Sequence, residues 1–211
     1  MKLYIIRHGE TDWNKAGKPQ GQTDIELNEK GIALTEITSD GLKDVSLDYI
    51  FSSPLKRAMK TAEIIKRDRK IDIVFDDRLK EVSFGPMEGS TKVEPELRHF
   101  FNDPEAYRAP EGAESFEELI ARTNDFLKER IYPLAEKEPK ATVLISGHGA
   151  MNKALMLNLK RLSLKDFWKG PFQRNCCVNL YEVIGERAYP LEEGKTFYNP
   201  DEDPFFKAMS K

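Results

Sequence analysis

The fold of this chain is decided by residues 1–14, MKLYIIRHGETDWN. A short apolar strand, Lys2–Ile6, runs directly into Arg7, His8 and Gly9. A strand that ends in this way places a guanidinium and an imidazole at the carboxyl edge of a sheet, where open α/β folds build their sites. The two groups disfavour each other's charge, whereas a phosphate dianion between them would be attracted by both. Taken alone, these residues would be interpreted as a solvated strand end, so the rest of the chain has to decide.

Length and composition indicate one folded domain with a charged surface. The chain has 211 residues, of which 39% are hydrophobic and 33% are charged, and its net charge is −3. This balance is typical of a soluble enzyme and not of a disordered chain. A slightly acidic chain has no basic field that would attract nucleic acid, so any anion-binding site must be local.

The distribution of apolar residues and cysteines favours the cytoplasm. Arg7 and His8 interrupt the only N-terminal apolar stretch after five residues, which is too short for the core of a signal peptide. No run approaches the roughly twenty apolar residues of a membrane span. Cys176 and Cys177 are neighbours in sequence, and neighbours rarely form an unstrained disulfide. We therefore expect a cytoplasmic protein with buried, reduced thiols and no membrane partner.

Strand-like and helical segments alternate along the chain. Short apolar runs are separated by longer segments with helical periodicity, which is the alternation expected of an α/β sheet. The sequence therefore predicts a three-layer α/β/α sandwich with a mostly parallel sheet. The predicted strands are Lys2–Ile6, Tyr49–Ser52, Ile71–Phe75, Ala141–Ser146 and Asn179–Ile184.

Three helix starts can be located from capping signals. Ser53 followed by Pro54 predicts an N-cap serine with proline at the first helical position. Ser115 with Glu118 three residues later predicts a capping box. A third helix is expected to begin near Asn28, with two side chains turned inward, Ile32 and Ile37.

Two segments depart from this alternation. Residues 84–112 are punctuated by glycine and proline and contain a short helical piece, Glu96–Phe101. We expect a partly helical insertion that acts as a lid, because long loops within compact domains are usually functional. Residues 192–211 are rich in charge and proline and are expected to form a mobile tail, which leaves one domain over residues 1–191.

The residues that could carry chemistry recur at predicted strand ends and helix starts. They are the pair Arg7-His8, together with Arg57, Glu81 and His148. Phosphoryl transfer needs fixed donors for three equatorial oxygens, an in-line nucleophile and an acid for the leaving group. Two guanidiniums and an imidazole would supply the donors, a second imidazole the nucleophile and a carboxyl group the proton.

At this point the chain resembles the histidine phosphatase superfamily, the phosphoglycerate mutase-like enzymes. Five matches in family order are far more specific than one motif. The matching segments are Arg7-His8-Gly9-Glu10-Thr11 with Trp13-Asn14, Ser52–Ala58 with Thr61-Ala62, Glu81 with Phe84-Gly85 and Glu88-Gly89, Gly112–Glu118, and Ser146–Gly149.

The resemblance implies a role for each matched residue. His8 is implied to be the nucleophile that becomes a phosphohistidine, and Glu81 the general acid that later activates water. The phosphate clamp is implied to comprise Arg7, Arg57 and His148, with further contributions from Asn14, Gln20 and Gly21. The resemblance implies neither a metal nor another cofactor. Its partner would be a small phosphorylated substrate, and a homodimer is the assembly to test.

Three functions remain open, and the insertion favours one of them. The mutase branch of the family usually has an arginine and a tyrosine where this chain has Val82-Ser83-Phe84, and a paired-arginine cluster where it has only Arg98 and Arg108. We therefore favour a phosphatase over a cofactor-dependent phosphoglycerate mutase or a non-catalytic phospho-ligand binder. The apolar residues that we expect to form a pocket for a bulkier alcohol are Phe84, Met87, Phe100, Phe101 and Tyr107.

Overall fold

A computed structural model describes residues 1–92 and 95–199 of the chain. Within these residues, six strands form one sheet in the order β3-β2-β4-β1-β5-β6. The strands are β1 (Lys2–Arg7), β2 (Tyr49–Ser52), β3 (Ile73–Phe75), β4 (Thr142–Gly147), β5 (Val178–Ile184) and β6 (Arg187–Lys195). The pairs β1–β4, β2–β4 and β2–β3 are parallel, whereas β5 and β6 add two antiparallel pairings at one edge. The predicted α/β class with a mostly parallel sheet is confirmed.

Helices cover both faces of the sheet and complete the three layers. The helices are α1 (Asp12–Lys15), α2 (Glu29–Gly41), α3 (Lys56–Lys66), α4 (Pro95–Asn102), α5 (Phe116–Phe126), α6 (Tyr132–Lys137) and α7 (Gly149–Lys160), with a π-helical turn at Leu127–Ile131 between α5 and α6. Side chains of β1 alternate between the two cores: Leu3 and Ile5 pack with the side chains of α5 to α7, and Ile6 packs with those of α3. This alternation follows from the two-residue period of a strand.

Two of the three predicted helix starts are confirmed. Ser115 and Glu118 form a reciprocal capping box at the start of α5, and Asn28 caps α2 by accepting the N–H of Gly31. The N-cap prediction for Ser53 is wrong, because α3 begins at Lys56 with Leu55 as its N-cap residue. The Ser53 hydroxyl instead bonds to a histidine of the candidate site.

The inward face predicted for α2 is also wrong. Ile37 is 43% exposed and Ile32 is only half-buried, whereas Leu34, Thr35 and Thr38 are buried. The two threonine hydroxyls donate to the carbonyls of the preceding turn. Because this bond satisfies the hydroxyl, a threonine can occupy a buried helix position that an apolar-stripe argument reserves for isoleucine.

Strand β6 shows that the predicted domain boundary at 191/192 falls inside an element of the sheet. This strand is mostly exposed and includes Pro190 and Glu192, so it lacks the apolar alternation that identified the other strands. Gly185, with φ of 57°, makes the tight turn that joins it to β5. After β6 the ring of Phe197 packs against the core on the α3 face of the sheet, and residues 200–211 of the predicted tail lie outside the described residues.

The insertion at residues 84–112 contains α4 and a 3₁₀ turn at Gly85–Met87. Its two ends meet, because Glu114 N donates to Ser83 O at 2.8 Å. The prediction that its apolar residues form a pocket is wrong for four of the five: only Phe101 is exposed, at 52%. The others are packed in the main core and are Phe84, Met87, Phe100 and Tyr107.

None of the helices in the described part of the chain combines the length and the apolar content that a membrane crossing requires.

Candidate active site

The predicted catalytic residues meet at the carboxyl edge of the sheet. Arg7 ends β1 opposite Gly147 at the end of the parallel strand β4, so His8 and His148 follow neighbouring strand ends. Their rings lie 5.2 Å apart between centroids at an angle of 61°. Arg57 lies in the first turn of α3, which follows the next strand in the sheet, β2. One phosphoryl group could therefore contact residues from three adjacent strands.

The environment of His8 leaves the lone pair of its imidazole on Nε2. The imidazole is buried, and its Nδ1 lies 2.6 Å from the carbonyl oxygen of Gly9. A carbonyl can only accept, so Nδ1 carries the proton and the lone pair is on Nε2. Gly9 is required here, because a Cβ at this position would lie 2.5 Å from Gly31 O.

Burial and charge keep His8 neutral. Burial lowers the pKa of His8 well below its usual value, and the nearby guanidiniums of Arg57 and Arg7 lower it further. A nucleophilic imidazole must be unprotonated, since the protonated ring has no lone pair to donate. The cations that would bind a phosphate thus also keep the His8 imidazole in the form that has a lone pair to donate.

Arg57 is a fully buried cation whose guanidinium bonds to backbone carbonyls. Its guanidinium donates to Thr23 O at 2.8 Å and to Gly21 O at 2.7 Å. Among the described residues no carboxylate lies within ion-pair distance of Arg57. Burial lowers the pKa of Arg57 to about 10. Removing a cation from water without a counter-ion is costly, so a bound anion would relieve the cost.

Three buried nitrogen atoms around His8 have no hydrogen-bond partner within the described residues. They are Nε of Arg7, Nε of Arg57 and Nδ1 of His148. Other atoms of Arg7 and His148 do have partners: the Arg7 guanidinium donates to Gln173 O at 2.5 Å, and His148 Nε2 lies 2.8 Å from Ser53 Oγ. Buried polar atoms are nearly always paired in proteins. The convergence of three unpaired ones is therefore the feature expected of an anion site.

Glu81 lies on the N-terminus of α7, beside this cluster. Its Oε2 accepts the N–H groups of Gly149 at 2.9 Å and Ala150 at 3.2 Å, and its Oε1 accepts that of Met151 at 2.9 Å. A Cβ on Gly149 would lie 3.5 Å from Glu81 Oε2 and 3.8 Å from Arg7 Nε. The carboxyl group is thus held at the helix N-terminus, close to the Arg7 guanidinium of the candidate anion site.

The other residues predicted to bind phosphate, Asn14, Gln20 and Gly21, lie next to the cluster, but Gly21 makes a different contact from the one predicted. Asn14 Oδ1 accepts the N–H of Thr11 at 3.2 Å, and Gln20 Oε1 accepts the Thr11 hydroxyl at 2.9 Å, so the oxygen of each side-chain amide already has a donor within the protein. Gly21 acts through its carbonyl, which holds Arg57. Its φ of 53° is in the left-handed region, where glycine is favoured.

Glu88 is a site residue whose part the sequence did not reveal. Its carboxylate accepts the N–H groups of Gln22 at 2.9 Å, Thr23 at 2.9 Å and Phe84 at 3.1 Å. The first two belong to the loop whose carbonyls hold Arg57, and the third follows Glu81. Glu88 therefore links the loop that holds Arg57 to the segment that follows Glu81. The only signal was its place in a family motif.

Arg122 is a second residue that contacts the segment of Glu81. It donates to the carbonyl of Glu81 at 3.1 Å and makes a two-pronged ion pair with Glu114, at 2.5 and 2.9 Å. Arg122 and Glu81 are 41 positions apart in sequence, so no local pattern could link them. Cys176 and Cys177 are buried free thiols, as predicted, and the third histidine, His99, is exposed.

Within residues 1–92 and 95–199, no three histidine, cysteine, aspartate or glutamate side chains are grouped so that they could hold a metal ion. The donors that surround His8 are guanidinium, imidazole and amide nitrogens.

The carboxyl edge of this α/β/α sheet thus holds a buried imidazole beside cationic nitrogens that are unpaired within the described residues, a set that suits a phosphoryl group. The model of the histidine phosphatase superfamily (branch 1) matches residues 3–193, and the chain belongs to this superfamily. The family and its phosphatase members make phosphomonoester hydrolysis the reaction class of this enzyme.

Individual relatives carry both phosphatase and mutase names. The chain is 37% identical over 155 residues to the uncharacterized phosphatase PhoE of Bacillus subtilis, covering 74% of this chain and 75% of that protein. It is 32% identical over 171 residues to a 2,3-bisphosphoglycerate-dependent phosphoglycerate mutase of Cytophaga hutchinsonii, with coverages of 78% and 79%. One longer plant relative is matched over only 38% of its length.

The structure is similar to that of YhfR from Bacillus stearothermophilus. The two share 33% sequence identity and superpose with a TM-score of 0.84, over 92% of this chain and 97% of that one.

Proposed function

We propose that this protein is a metal-independent phosphomonoesterase that transfers the phosphoryl group of a small phosphorylated metabolite to His8 and then to water. One observation carries the proposal: among the described residues, two guanidiniums and a second imidazole near the buried, neutral His8 each have a nitrogen atom without a hydrogen-bond partner. A phosphate dianion fits this set in charge and in donor number. The donors would also stabilise the charge of the transition state.

The first step forms the phosphoenzyme. His8 Nε2 donates its lone pair to phosphorus while the bond from phosphorus to the ester oxygen breaks. Glu81, in its protonated form, gives its proton to the departing alkoxide, which leaves as an alcohol. Arg7, Arg57 and His148 hold the three equatorial oxygens during the transfer.

The second step returns the enzyme to its starting state. Glu81, now a carboxylate, accepts a proton from water as the water oxygen attacks phosphorus. The bond between phosphorus and Nε2 breaks, and its electron pair restores the neutral imidazole. The Gly9 carbonyl keeps Nδ1 protonated throughout, so a single nitrogen serves as nucleophile and leaving group.

The surroundings of Glu81 support a phosphatase over a mutase. A mutase must hold a second anionic group while its phosphoenzyme resists water, which takes several cations. Val82 and Phe84 are packed in the core, Arg98 is exposed, and the guanidinium of Arg108 donates to the carbonyls of Glu105 and Tyr107. The described part of the insertion thus presents no second cationic cluster.

The test is a panel of phosphorylated metabolites assayed for phosphate release, beside a mutase assay supplied with 2,3-bisphosphoglycerate. We expect phosphate release that survives chelation by EDTA. Rapid interconversion of 2- and 3-phosphoglycerate with negligible phosphate release would establish a mutase instead. Tight phosphate binding without turnover of any substrate would establish a phospho-ligand binder.

We also propose a cytoplasmic location and one catalytic domain, with a homodimer as the first assembly to test. The buried free thiols of Cys176 and Cys177 are compatible with a reducing compartment. Strand β6 forms an edge of the sheet with Tyr189 and Leu191 about half exposed, at 46% and 54%. These side chains offer a surface for a second copy, and light scattering would measure the mass.

A further inference from the structure

A turn far along the chain lies against the nucleophile. Residues 173–177, which precede β5, bond to the segment Arg7–Gly9 through the backbone: Cys176 N donates to Arg7 O at 3.0 Å, and Arg7 N donates to Cys177 O at 3.1 Å. The Arg7 guanidinium donates to Gln173 O in the same turn. We call residues 173–177 the support turn. It contacts both the backbone and the side chain of Arg7, directly before His8.

Asn175 is the side chain through which the support turn reaches His8. Its amide nitrogen lies 3.1 Å from His8 O, 3.1 Å from Gly9 O and 3.2 Å from Asn14 Oδ1. Two of these acceptors also act elsewhere in the site, because Gly9 O accepts the Nδ1 proton of His8 and Asn14 belongs to the predicted phosphate clamp. One amide group therefore touches the carbonyl that sets the histidine tautomer and the side chain that would contact the anion.

The backbone of the support turn is strained in a way that serves these contacts. Cys176 has φ of 57° although it carries a side chain. Residues other than glycine adopt this left-handed conformation at a cost, and such positions cluster at functional sites. On the other side, the Tyr198 hydroxyl donates to Asn175 O at 2.7 Å. The turn is thus fixed by contacts at both its main chain and its side chain.

We infer that Asn175 is a positioning residue that holds His8 in the Nδ1-protonated tautomer and turns the amide nitrogen of Asn14 toward the phosphoryl group. The inference rests on the proposed function of His8. Gly9 O, held by Asn175, stays in line with Nδ1, so the lone pair stays on Nε2. Asn14 Oδ1, occupied by Asn175 and Thr11, leaves only its N–H₂ group for a ligand.

The kinetic test uses Asn175→Ala with Asn158→Ala as a matched control. Asn158 is also half-buried, and its amide nitrogen also has more than one acceptor, Ile120 O at 2.9 Å and Thr123 Oγ1 at 3.0 Å. For Asn175→Ala we expect kcat to fall about 100-fold, the usual effect of small misplacement of a reacting group. The control should keep kcat within about twofold, because its contacts are remote from His8, while losing comparable thermal stability.

A second variant covers the case in which Asn175→Ala does not fold. Asn175→Asp has the same shape, but it replaces the donor by an oxygen that faces three acceptors. We expect at least as large a loss in kcat. A kcat of either folded variant within about twofold of the wild type would overturn the inference.

The readout that a merely structural role would not move is the tautomer of His8. The chain has three histidines, so ¹⁵N-histidine labelling gives three ring systems, and His8→Ala assigns the signals of His8. We expect the wild-type ring to be protonated at Nδ1, and Asn175→Asp to give a mixture of tautomers. An unchanged tautomer in the variant would overturn the inference. If His8→Ala itself kept full activity, the proposed function would fail first, and the tautomer measurement would still stand alone.

Discussion

The segment around His8 and the insertion at residues 84–112 are built by different interactions. Around His8, hydrogen bonds to backbone carbonyls dominate, such as His8 Nδ1 to Gly9 O at 2.6 Å and Arg57 to Gly21 O at 2.7 Å. In the insertion, rings dominate: Phe100 stacks on Phe116 with centroids 4.6 Å apart and meets Phe84 edge-on at 5.0 Å. The region around His8 positions charged and hydrogen-bonding groups, whereas the insertion fills space with packed aromatic rings. Substitutions should therefore separate turnover from stability.

The largest effect is expected from His8→Ala. Removing the nucleophile should lower kcat/KM for p-nitrophenyl phosphate by at least about 10⁴-fold, the scale seen when a covalent nucleophile is lost. The midpoint of thermal unfolding should change little, because the variant also removes an imidazole that is buried beside two cations. Residual activity within about tenfold of the wild type would contradict a phosphohistidine at this position.

The next largest effect is expected in the insertion, where a substitution should change stability. Phe100→Ala should cost about 3–5 kcal/mol in the free energy of unfolding, because it opens a cavity in the aromatic core. Phe101→Ala is the matched control: that ring is 52% exposed, so its loss should cost under about 1 kcal/mol. Urea denaturation measures both. Equal costs would show that Phe100 does not lie at the centre of an aromatic core.

Arg57→Ala should affect turnover instead. Losing one charge-assisted contact to the transition state is expected to lower kcat/KM by about 10²–10³-fold and to weaken inhibition by inorganic phosphate. The adjacent Lys56 is exposed and pairs with Glu26 at 3.0 Å, so Lys56→Ala should stay within about twofold. If inorganic phosphate inhibited Arg57→Ala nearly as well as the wild type, Arg57 would not belong to the phosphate clamp.

The smallest effect concerns pH. Burial, Arg57 and Arg7 lower the pKa of His8 well below the usual value of about 6.5 for an imidazole. His8 therefore stays neutral well below that pH, and kcat/KM should lose its His8-dependent part only in more acidic solution. Removing a cation that lowers this pKa must raise it, so in Arg57→Met the acid limb of the pH profile should move to higher pH. Lys56→Met should leave the limb in place. An unchanged limb in Arg57→Met would separate Arg57 electrostatically from His8.

Sequence reasoning identified candidate residues that the structure brings together, because its signals are local. Each signal lies within a few neighbouring residues: the strand that ends at Arg7, the capping box of Ser115, and the motif that contains Glu81. In a parallel sheet, strand ends meet at one edge, so His8 and His148 could be expected to approach although they lie far apart in the sequence. The structure places their ring centroids 5.2 Å apart.

The features that the sequence could not predict depend on contacts between distant segments. Asn175 and His8 are separated by 167 positions, and nothing near Asn175 marks it as a partner of a nucleophile. Ser53 has the pattern of a helix cap, but His148 uses its hydroxyl. The aromatic residues of the insertion suit a pocket or a core equally well, because composition does not say which way a ring points.

The two buried neighbouring thiols provide a way to measure how often the support turn opens. Neither Cys176 nor Cys177 has exposed surface, and burial raises the pKa of both thiols to about 12. An alkylating reagent attacks through the thiolate, so labelling of the native protein has to wait until residues 173–177 detach from β1. The labelling rate then reports the free energy of that local opening. The two thiols thus report how often the segment that contains His8 loses its contact with the support turn.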